Sequence, residues 1–525
     1  MTKEQKKENK VNEKNFDRTF FKSSYDDVIN LALRRSLFYP ASEIYENAPA
    51  GFYDYGPYGS AIKRKVVELW RKELVQREGF IEIDGAITMP ADVFAASGHL
   101  TNFNDPVTQC KKCNTIHRAD KLLAEKTGRE GEFKEAMSDA DLTKALRENK
   151  LVCPKDKGEL TDVRRFNMMV KADIGVSNKA DCYMRPESCQ SIFTNWQRMI
   201  KTMRVKLPKG ISQTGRVFRN EISPRQTLLR TVEFTQMETE VFFDPKKINE
   251  IDQDKWNEVE NYELMIVRAN EGFEAKPKPI KASEVVKNKI CSGKLIAYYM
   301  ARTQQLYEKY GFSLENIRFR ELDSEERAFY AAEAFDFEVM TSLGWLELIA
   351  NNYRTDYDIK GHMKGSKQDL QFVTDDGSKF IPHIWEISIG TDRTVYAVLE
   401  NSYKPGKGEA KNILSLPPKI APLIAGVFPL LSNKPELVKK AKEVYNILSE
   451  ELEVFYDETG SIGKRYARMD EIGVPWCITI DFDSLEKQDV TIRDRDSGEQ
   501  KRIKIEKLAY VLYYLLTGRT SFEKI

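Results

Sequence analysis

The sequence predicts an α+β protein, with a large domain on an antiparallel sheet followed by a smaller α/β domain. Three observations carry this. From about residue 23 to 400, helical and strand patterns alternate irregularly, with turn signals such as YGPYG and SPR between them, which suits an antiparallel sheet with scattered helices. The segment SYKPGKGEAKN, 402 to 412, has linker composition. Beyond it VFPLL, the helix PELVKKAKEVYNILSEEL, the strand EVFYDE and the run WCITIDFD alternate β with α, the pattern of a small α/β domain with a largely parallel sheet.

Taken in order, residues 1 to 22 are charged and almost without apolar periodicity, so they read as a solvated, disordered tail and not as a secretory signal. The large domain is expected over 23 to 410, with insertions near 105 to 160 and 245 to 310. The stretch from 119 to 150 is polar, helical and poor in core residues, and the second insertion is helix-rich and Lys-rich. The smaller domain is expected over 411 to 525. A chain of 525 residues at 41% hydrophobic content has room for roughly two or three cores. Its longest greasy run, APLIAGVFPLL, is short and holds two prolines, so no membrane span is expected. Seven cysteines in no disulfide-like arrangement suggest a reduced, cytoplasmic protein. A net charge of +1 gives no global signal for a polyanion, so any such partner must be met by local patches.

The chemistry concentrates in GRVFRNEISPRQTLLRTVEFTQMETEVFF, 215 to 243. Period-2 alternation puts Arg219 and Glu221 on one face of a first strand, and Phe234, Gln236, Glu238 and Glu240 on one face of a second. An ordinary half-buried hairpin carries apolar residues there, since an unanswered buried charge costs several kcal/mol, roughly. An arginine for phosphate, a carboxylate for an amino group and a ring for a base describe an ATP site on antiparallel strands. Neither a GxxxxGK[ST] loop nor a GxGxxG cradle is present.

FRNE, a loop and EFTQMETE together resemble motif 2 of the class II aminoacyl-tRNA synthetases, in its glycyl form. GFYDYGPYGSAIKRKVVELW, 51 to 70, resembles the motif 1 region of glycyl-tRNA synthetase, and IPHIWEISIGTDRTVYAVLE, 381 to 400, resembles motif 3. AASGH, HRADK, FNMM, MRPES, GWLEL and ANNYRTDYD are similar to further signatures of that family. DETGSIGKRYARMDEIGVPWCITIDFD, 457 to 483, is similar to the anticodon-binding domain shared by the glycyl, prolyl, threonyl and histidyl enzymes. The resemblance covers about 23 to 525. It departs in motif 3, where Ile387, Ile389 and Asp392 stand for the usual Pro, Phe and Gly.

That resemblance implies a class II synthetase catalytic domain and a C-terminal anticodon-binding domain, in a homodimer that joins glycine to tRNA-Gly at the expense of ATP. It gives Arg219 the α-phosphate, Arg393 the γ-phosphate, Glu221 the adenine amino group and Phe234 the adenine face. Asn220, Leu229, Glu347, Leu348 and Gly390 complete the implied ATP site, with Glu347 and nearby carboxylates as candidates for Mg²⁺. Glu187, Glu238, Glu386 and Ser388 match its glycine-binding positions, Phe234 borders them, and Arg118 and Arg354 match further substrate positions. Tyr53 and Tyr55 fall near the dimer interface in the family.

Blander readings stand beside these. A lone Arg-x-Glu pair is more often a surface ion pair, and GKRYAR, 463 to 468, reads equally as a solvated basic turn or a tRNA-phosphate contact. A catalytically dead synthetase-like binder should have lost its arginines or carboxylates, and a sister enzyme for another amino acid has no use for three inward glutamates. CKKC at 110 to 113 followed by CPKD at 153 to 156 resembles a zinc ribbon lacking a ligand. Cys110, Cys113 and Cys153 supply three thiolates and Asp156 stands fourth, so a weakened or metal-free relic is expected in place of structural zinc.

Overall fold

Nine strands form the main sheet of the computed structural model, which describes residues 25–129, 132–134, 137–175, 180–222, 224, 226–406 and 412–525. The tail expected over 1 to 22 lies outside them. In chain order the strands are β1 (Ile81–Glu82), β2 (Lys209–Phe218), β3 (Glu233–Phe243), β4 (Glu263–Val267), β5 (Lys278–Lys281), β6 (Ile317–Glu321), β7 (Glu333–Thr341), β8 (Gly344–Thr355) and β9 (His383–Gly390). Across the sheet they run β5-β4-β6-β7-β8-β9-β3-β2-β1. Only the β1–β2 and β4–β6 pairings are parallel, so the predicted antiparallel sheet is what forms. The 245 to 310 stretch, expected as an insertion, extends this sheet by β4 and β5 and supplies the helix Lys294–Lys309. That helix is buried along nearly its whole length, so the stretch is integral to the core.

One face of the sheet is apolar. Met237, Val241, Ile349, Ile387 and Ile389 are buried there, against the helices Pro57–Trp70, Lys294–Lys309 and Thr391–Ser402. The YGPYG segment, read as a turn, is the junction where a short strand ends at Tyr55 and a helix begins at Pro57, a position that proline's fixed φ suits. A Cβ at Gly59 would sit 1.7 Å from the Leu37 carbonyl oxygen, so only glycine lets the helix approach so closely. The other face starts apolar, where Phe242 stacks on Trp196 at 4.0 Å, and turns polar toward the C-terminal end of β9.

The insertion near 105 to 160 forms a three-stranded ribbon (Asn104–Gln109, Ile116–Arg118, Arg164–Asn167) and two helices. Though polar in sequence, it keeps a small core of Ala119, Leu122, Leu123, Leu142 and Leu146.

The C-terminal sheet holds β10 (Ala425–Pro429), β11 (Val454–Tyr456), β12 (Trp476–Ile480), β13 (Asp489–Asp494) and β14 (Gln500–Lys504), in the order β11-β10-β12-β13-β14. β10 is parallel to β11 and β12, whereas β12–β13 and β13–β14 are antiparallel. The sheet is therefore mixed where a largely parallel one was expected. The links after β12 and β13 are too short for a right-handed crossover, which needs a dozen or more residues. GKRYAR is helical and not a turn, within Ile462–Ile472. Arg465 is buried and donates to the Gly460 carbonyl at 3.0 Å, and Arg468 binds Asp457.

Candidate active site

The polar face is assembled by strand register. On β3, Glu238 lies opposite Ser388 of β9, and Glu240 opposite Glu386. On β8, Ala350 faces Ser388 and Asn352 faces Glu386. Since side chains alternate, three adjacent strands thereby bring their polar positions to one face. A bulge between Tyr353 and Thr355 turns the end of β8 and leaves Arg354 directed at Glu386, a common use of bulges near sites. Arg219 and Glu221 were expected on the strand itself, but β2 ends at Phe218. The Arg219 N–H still bonds the Val232 carbonyl at 2.9 Å, and Asn220 N–H turns away to the Met168 carbonyl at 2.8 Å. The downstream Pro224 cannot donate to a ladder.

Above this face opens a cleft bordered by Arg219, Glu221, Phe234, Glu347 and Arg393 at its mouth and by Glu187 and Glu386 deeper in. Arg219 lies between the rings of Phe103 and Phe234, at 5.3 and 5.4 Å, and donates Nε–H to the Pro186 carbonyl at 3.2 Å. Arg393 donates to the carbonyls of Leu229 at 3.0 Å and Glu347 at 3.1 Å. Each guanidinium is anchored by backbone yet stays about a third exposed, 31% and 36%, which leaves donors for a polyanion. Asp392, where the family has glycine, accepts from Thr235 N–H at 2.6 Å, Tyr55 Oη at 2.6 Å and Lys63 Nζ at 2.7 Å. It thus ties the segment at 51 to 70 to both strands of the site.

At the floor, Glu187, Glu238, Glu240 and Glu386 converge, and the last three bring carboxylate oxygens within 4.8 Å of one another. Burial alone would raise the Glu187 pKa, but the His99 hydrogen bond at 3.3 Å, with Arg219 and Arg354 nearby, holds it well below the usual carboxylate range. Glu238 and Glu240 are pushed well up by burial and by the Glu386 charge. Burial also raises Glu386, against the pull of Arg354. One oxygen of Glu238 and both of Glu240 have no hydrogen-bond partner. Arg354 donates to both oxygens of Asp358 at 2.7 and 2.9 Å and to Glu386 at 2.9 Å, beneath the Tyr330 ring at 3.8 Å. A small cation suits this floor, because it answers carboxylates that the protein leaves underpaired.

Of the expected residues, Leu229, Leu348, Ser388 and Gly390 also border the cleft, while Asn220, Glu238 and Arg354 do not. Glu238 and Arg354 lie just beneath, bonded to Ser188 at 3.1 Å and to Glu386. Arg118 is not brought to the cleft. It sits on the insertion ribbon, salt-bridged to Asp105 at 2.8 Å and Asp120 at 2.6 Å.

Several residues beyond the expected set take part. Arg230 holds Glu221 at 2.6 Å, Gln236 links Ser188 N–H to Ser388 Oγ at 3.1 and 3.3 Å, and His99, Tyr330 and Asp358 steady the floor. Gln236 and Glu240 were visible through alternation with Phe234 and Glu238. Arg230 lies in the same hairpin, and His99 and Asp358 end the AASGH and ANNYRTDYD signatures without having been given a role, whereas Tyr330 stands outside every quoted motif.

Glu347, the expected candidate for Mg²⁺, stands at the mouth of the cleft. Its carboxylate is 46% exposed at the mouth beside Arg393, and a hard cation that keeps waters and takes one or two carboxylates plus phosphate oxygens suits such a place.

An antiparallel sheet carrying anchored arginines and a ring over an open cleft, followed by an α/β domain, fits a class II aminoacyl-tRNA synthetase, and comparison with known proteins shows that class. Residues 172–402 match the model for the tRNA synthetase class II core domain (G, H, P, S and T), and 425–513 match that for the anticodon binding domain. The chain is similar to glycine--tRNA ligase of Methanothrix thermoacetophila, 34% identical over 95% of this chain and 98% of that protein. It is also similar to the glycine--tRNA ligases of Aeropyrum pernix (35% identical, 91% of this chain and 94% of that one) and Pyrococcus horikoshii (36%, 94% and 99%). It belongs to the glycine--tRNA ligase family.

Proposed function

We propose that this chain is a glycine--tRNA ligase whose cleft joins glycine to ATP and then passes the glycyl group to tRNA-Gly. The observation that carries the reading is one sheet face with anchored arginines at its open end and underpaired carboxylates at its floor. Glycine offers an ammonium and no side chain, so fixed negative charge is the grip available. Glu187, Glu238 and Glu386, with Ser388, hold the ammonium, and a close wall around Cα excludes every larger amino acid. No smaller one exists, so editing is unnecessary.

The glycine carboxylate, already ionised, attacks the α-phosphorus in line. Its oxygen forms the new P–O bond, the bond to the bridging oxygen breaks, and diphosphate leaves with that electron pair. No general base is needed, so catalysis reduces to positioning and neutralisation. Arg219 holds the α-phosphate, Arg393 the γ-phosphate, Phe234 stacks on adenine and Glu221 takes its amino group. Glu347 would hold magnesium, which when bound would supply charge neutralisation for the diphosphate. The terminal adenosine 3′-hydroxyl of tRNA then attacks the acyl carbon and AMP leaves. Glycine-dependent exchange of pyrophosphate into ATP tests the whole reading, and a folded protein without it would sink it.

Glu238→Gln keeps shape and removes one charge. Glycine affinity should fall roughly ten- to a hundredfold, about 1.5–3 kcal/mol for a charge-assisted hydrogen bond, while ATP affinity stays put. Separate titrations of glycine and ATP decide this, and a loss falling mainly on ATP would show that these acids serve another ligand.

The division into a 23–410 catalytic domain and a 411–525 anticodon-binding domain is supported by the separate apolar core of the C-terminal sheet, with Leu437, Val444, Leu508 and Leu512. Removing residues 415 to 525 should cost tRNA charging far more than glycine activation. Equal loss of both in a folded truncation would contradict the division.

We further infer a homodimer acting in the cytoplasm. Ile44 and Tyr45, 85% and 63% exposed beside the Tyr53–Tyr55 strand, offer an apolar contact, and sedimentation measures the assembly. Among the described residues no helix is long and apolar enough to cross a membrane.

A further inference from the structure

We propose that Cys110, Cys113, Cys153 and Asp156 bind one zinc ion through three thiolates and a carboxylate, closing the ribbon of the insertion. None of the four borders the cleft. Their ligand atoms all lie within 4.8 Å of one another. Cys113 Sγ is 3.7 Å from Cys153 Sγ, and Cys110 Sγ is 3.3 Å from Asp156 Oδ1. A tetrahedron with Zn–S near 2.3 Å and Zn–O near 2.0 Å has S···S edges of about 3.8 Å and S···O edges of about 3.5 Å, so two opposite edges are already at ligand spacing. The sulfur pair is far outside disulfide length, about 2.05 Å.

The backbone repeats one device twice. In the first loop Asn114 N–H bonds the Cys110 carbonyl at 3.0 Å and Cys110 N–H bonds the Thr115 carbonyl at 2.9 Å. In the second, Lys157 N–H bonds the Cys153 carbonyl at 2.9 Å and Cys153 N–H bonds the Gly158 carbonyl at 2.9 Å. Asn114 and Lys157, each directly after the second ligand of its loop, both take left-handed backbone, with φ of 59° and 62°. Two unrelated surface turns have no reason to share offsets, handedness and hydrogen bonds and then to face each other.

Amides also point at the ligand atoms. Lys112 and Cys113 N–H groups approach Cys110 Sγ at 3.4 and 3.5 Å, and Gly158 N–H donates to Asp156 Oδ1 at 3.0 Å. A Cβ at Gly158 would meet Cys110 Sγ at 2.6 Å, so the second loop needs glycine to close on the first. His117 Nε2 lies 3.4 Å from Cys153 Sγ, a distance at which its Nε2–H tautomer would support a metal-bound thiolate.

From the sequence, Asp156 in the place of a fourth cysteine argued for a relic. The geometry reverses that weighting, because a carboxylate is an ordinary zinc ligand and three thiolates with one carboxylate carry the same charge as four thiolates. Softness excludes calcium and magnesium. Zinc would join the turn before Ile116–Arg118 to the loop before Leu160, so the ribbon carrying Arg118 would be held by metal where it has little core of its own.

The full chain, purified in reductant without chelator, should carry one zinc per chain by elemental analysis. Cobalt exchanged into it should give thiolate charge-transfer and tetrahedral ligand-field bands. Asp156→Cys should keep one metal per chain, whereas Cys113→Ser with Cys153→Ser should carry none, and Cys291→Ser, remote from the cluster, should be unaffected. His117→Phe should weaken zinc about tenfold in chelator competition, as loss of a partner to a ligand does. Wild-type chain that holds no metal and gives no cobalt spectrum after reduced reconstitution would overturn the proposal. So would stoichiometric iron in place of zinc, or metal retained by the double serine variant.

Discussion

Arg219→Ala leaves a folded protein that no longer makes glycyl-adenylate. The side chain is partly exposed, and its polar contacts are one carbonyl at 3.2 Å and Glu187 at 3.5 Å, so stability should change little. The loss falls on the reaction. A charge-assisted partner of a phosphate contributes about 1.5–3 kcal/mol to binding, and a preorganised donor to developing charge is worth about a hundred- to a thousandfold in rate. Together these should put pyrophosphate exchange below detection while the melting curve stays in place. Near-normal exchange in a folded variant would refute the α-phosphate assignment.

The second large effect is on the fold. Arg354 is fully buried between Asp358 and Glu386, each also buried, and Arg354→Ala leaves both carboxylates without their cation. Removing one partner of such a network costs about 3–5 kcal/mol, a large share of the stability of any domain. Acidity should soften the loss. Glu386 is already raised by burial and is held down chiefly by Arg354, so in the variant it rises further. A folded-state pKa above the unfolded one makes the native state bind the extra proton, and stability then drains as pH climbs above the ordinary glutamate value of about 4.3. Urea unfolding at several pH values should show the deficit smallest in acid and widening toward neutrality. A variant as stable as the parent at neutral pH would show that the network is not what holds this floor together.

Much of this was legible in the sequence, and the reason is register. Period-2 alternation alone brings Phe234, Gln236, Glu238 and Glu240 to one face, and a charged face on a buried strand announces a ligand. The partners of that face were not legible locally. His99 and Asp358 stand in the AASGH and ANNYRTDYD signatures, which mark the segments but not their meeting at the floor, and Tyr330 reaches it from a stretch with no motif. Arg219 and Glu221 were placed one step too regularly, because alternation does not say where a strand stops. The mixed pairing of β12, β13 and β14 was missed for a related reason: hydrophobic runs give strands but not their direction. Asp392 looked like a departure from the family, yet it is bonded to Thr235, Tyr55 and Lys63, so it replaces a missing side chain with a brace.

The underpaired oxygens of Glu238 and Glu240 leave room for a cation to complete the floor, and the proposed one is the glycine ammonium. Whatever binds the native state alone adds to its stability by mass action, and an ammonium at this floor would favour the ionised carboxylates that burial disfavours. On the proposed assignment, glycine should therefore raise the melting temperature of the chain, and more so at higher concentration.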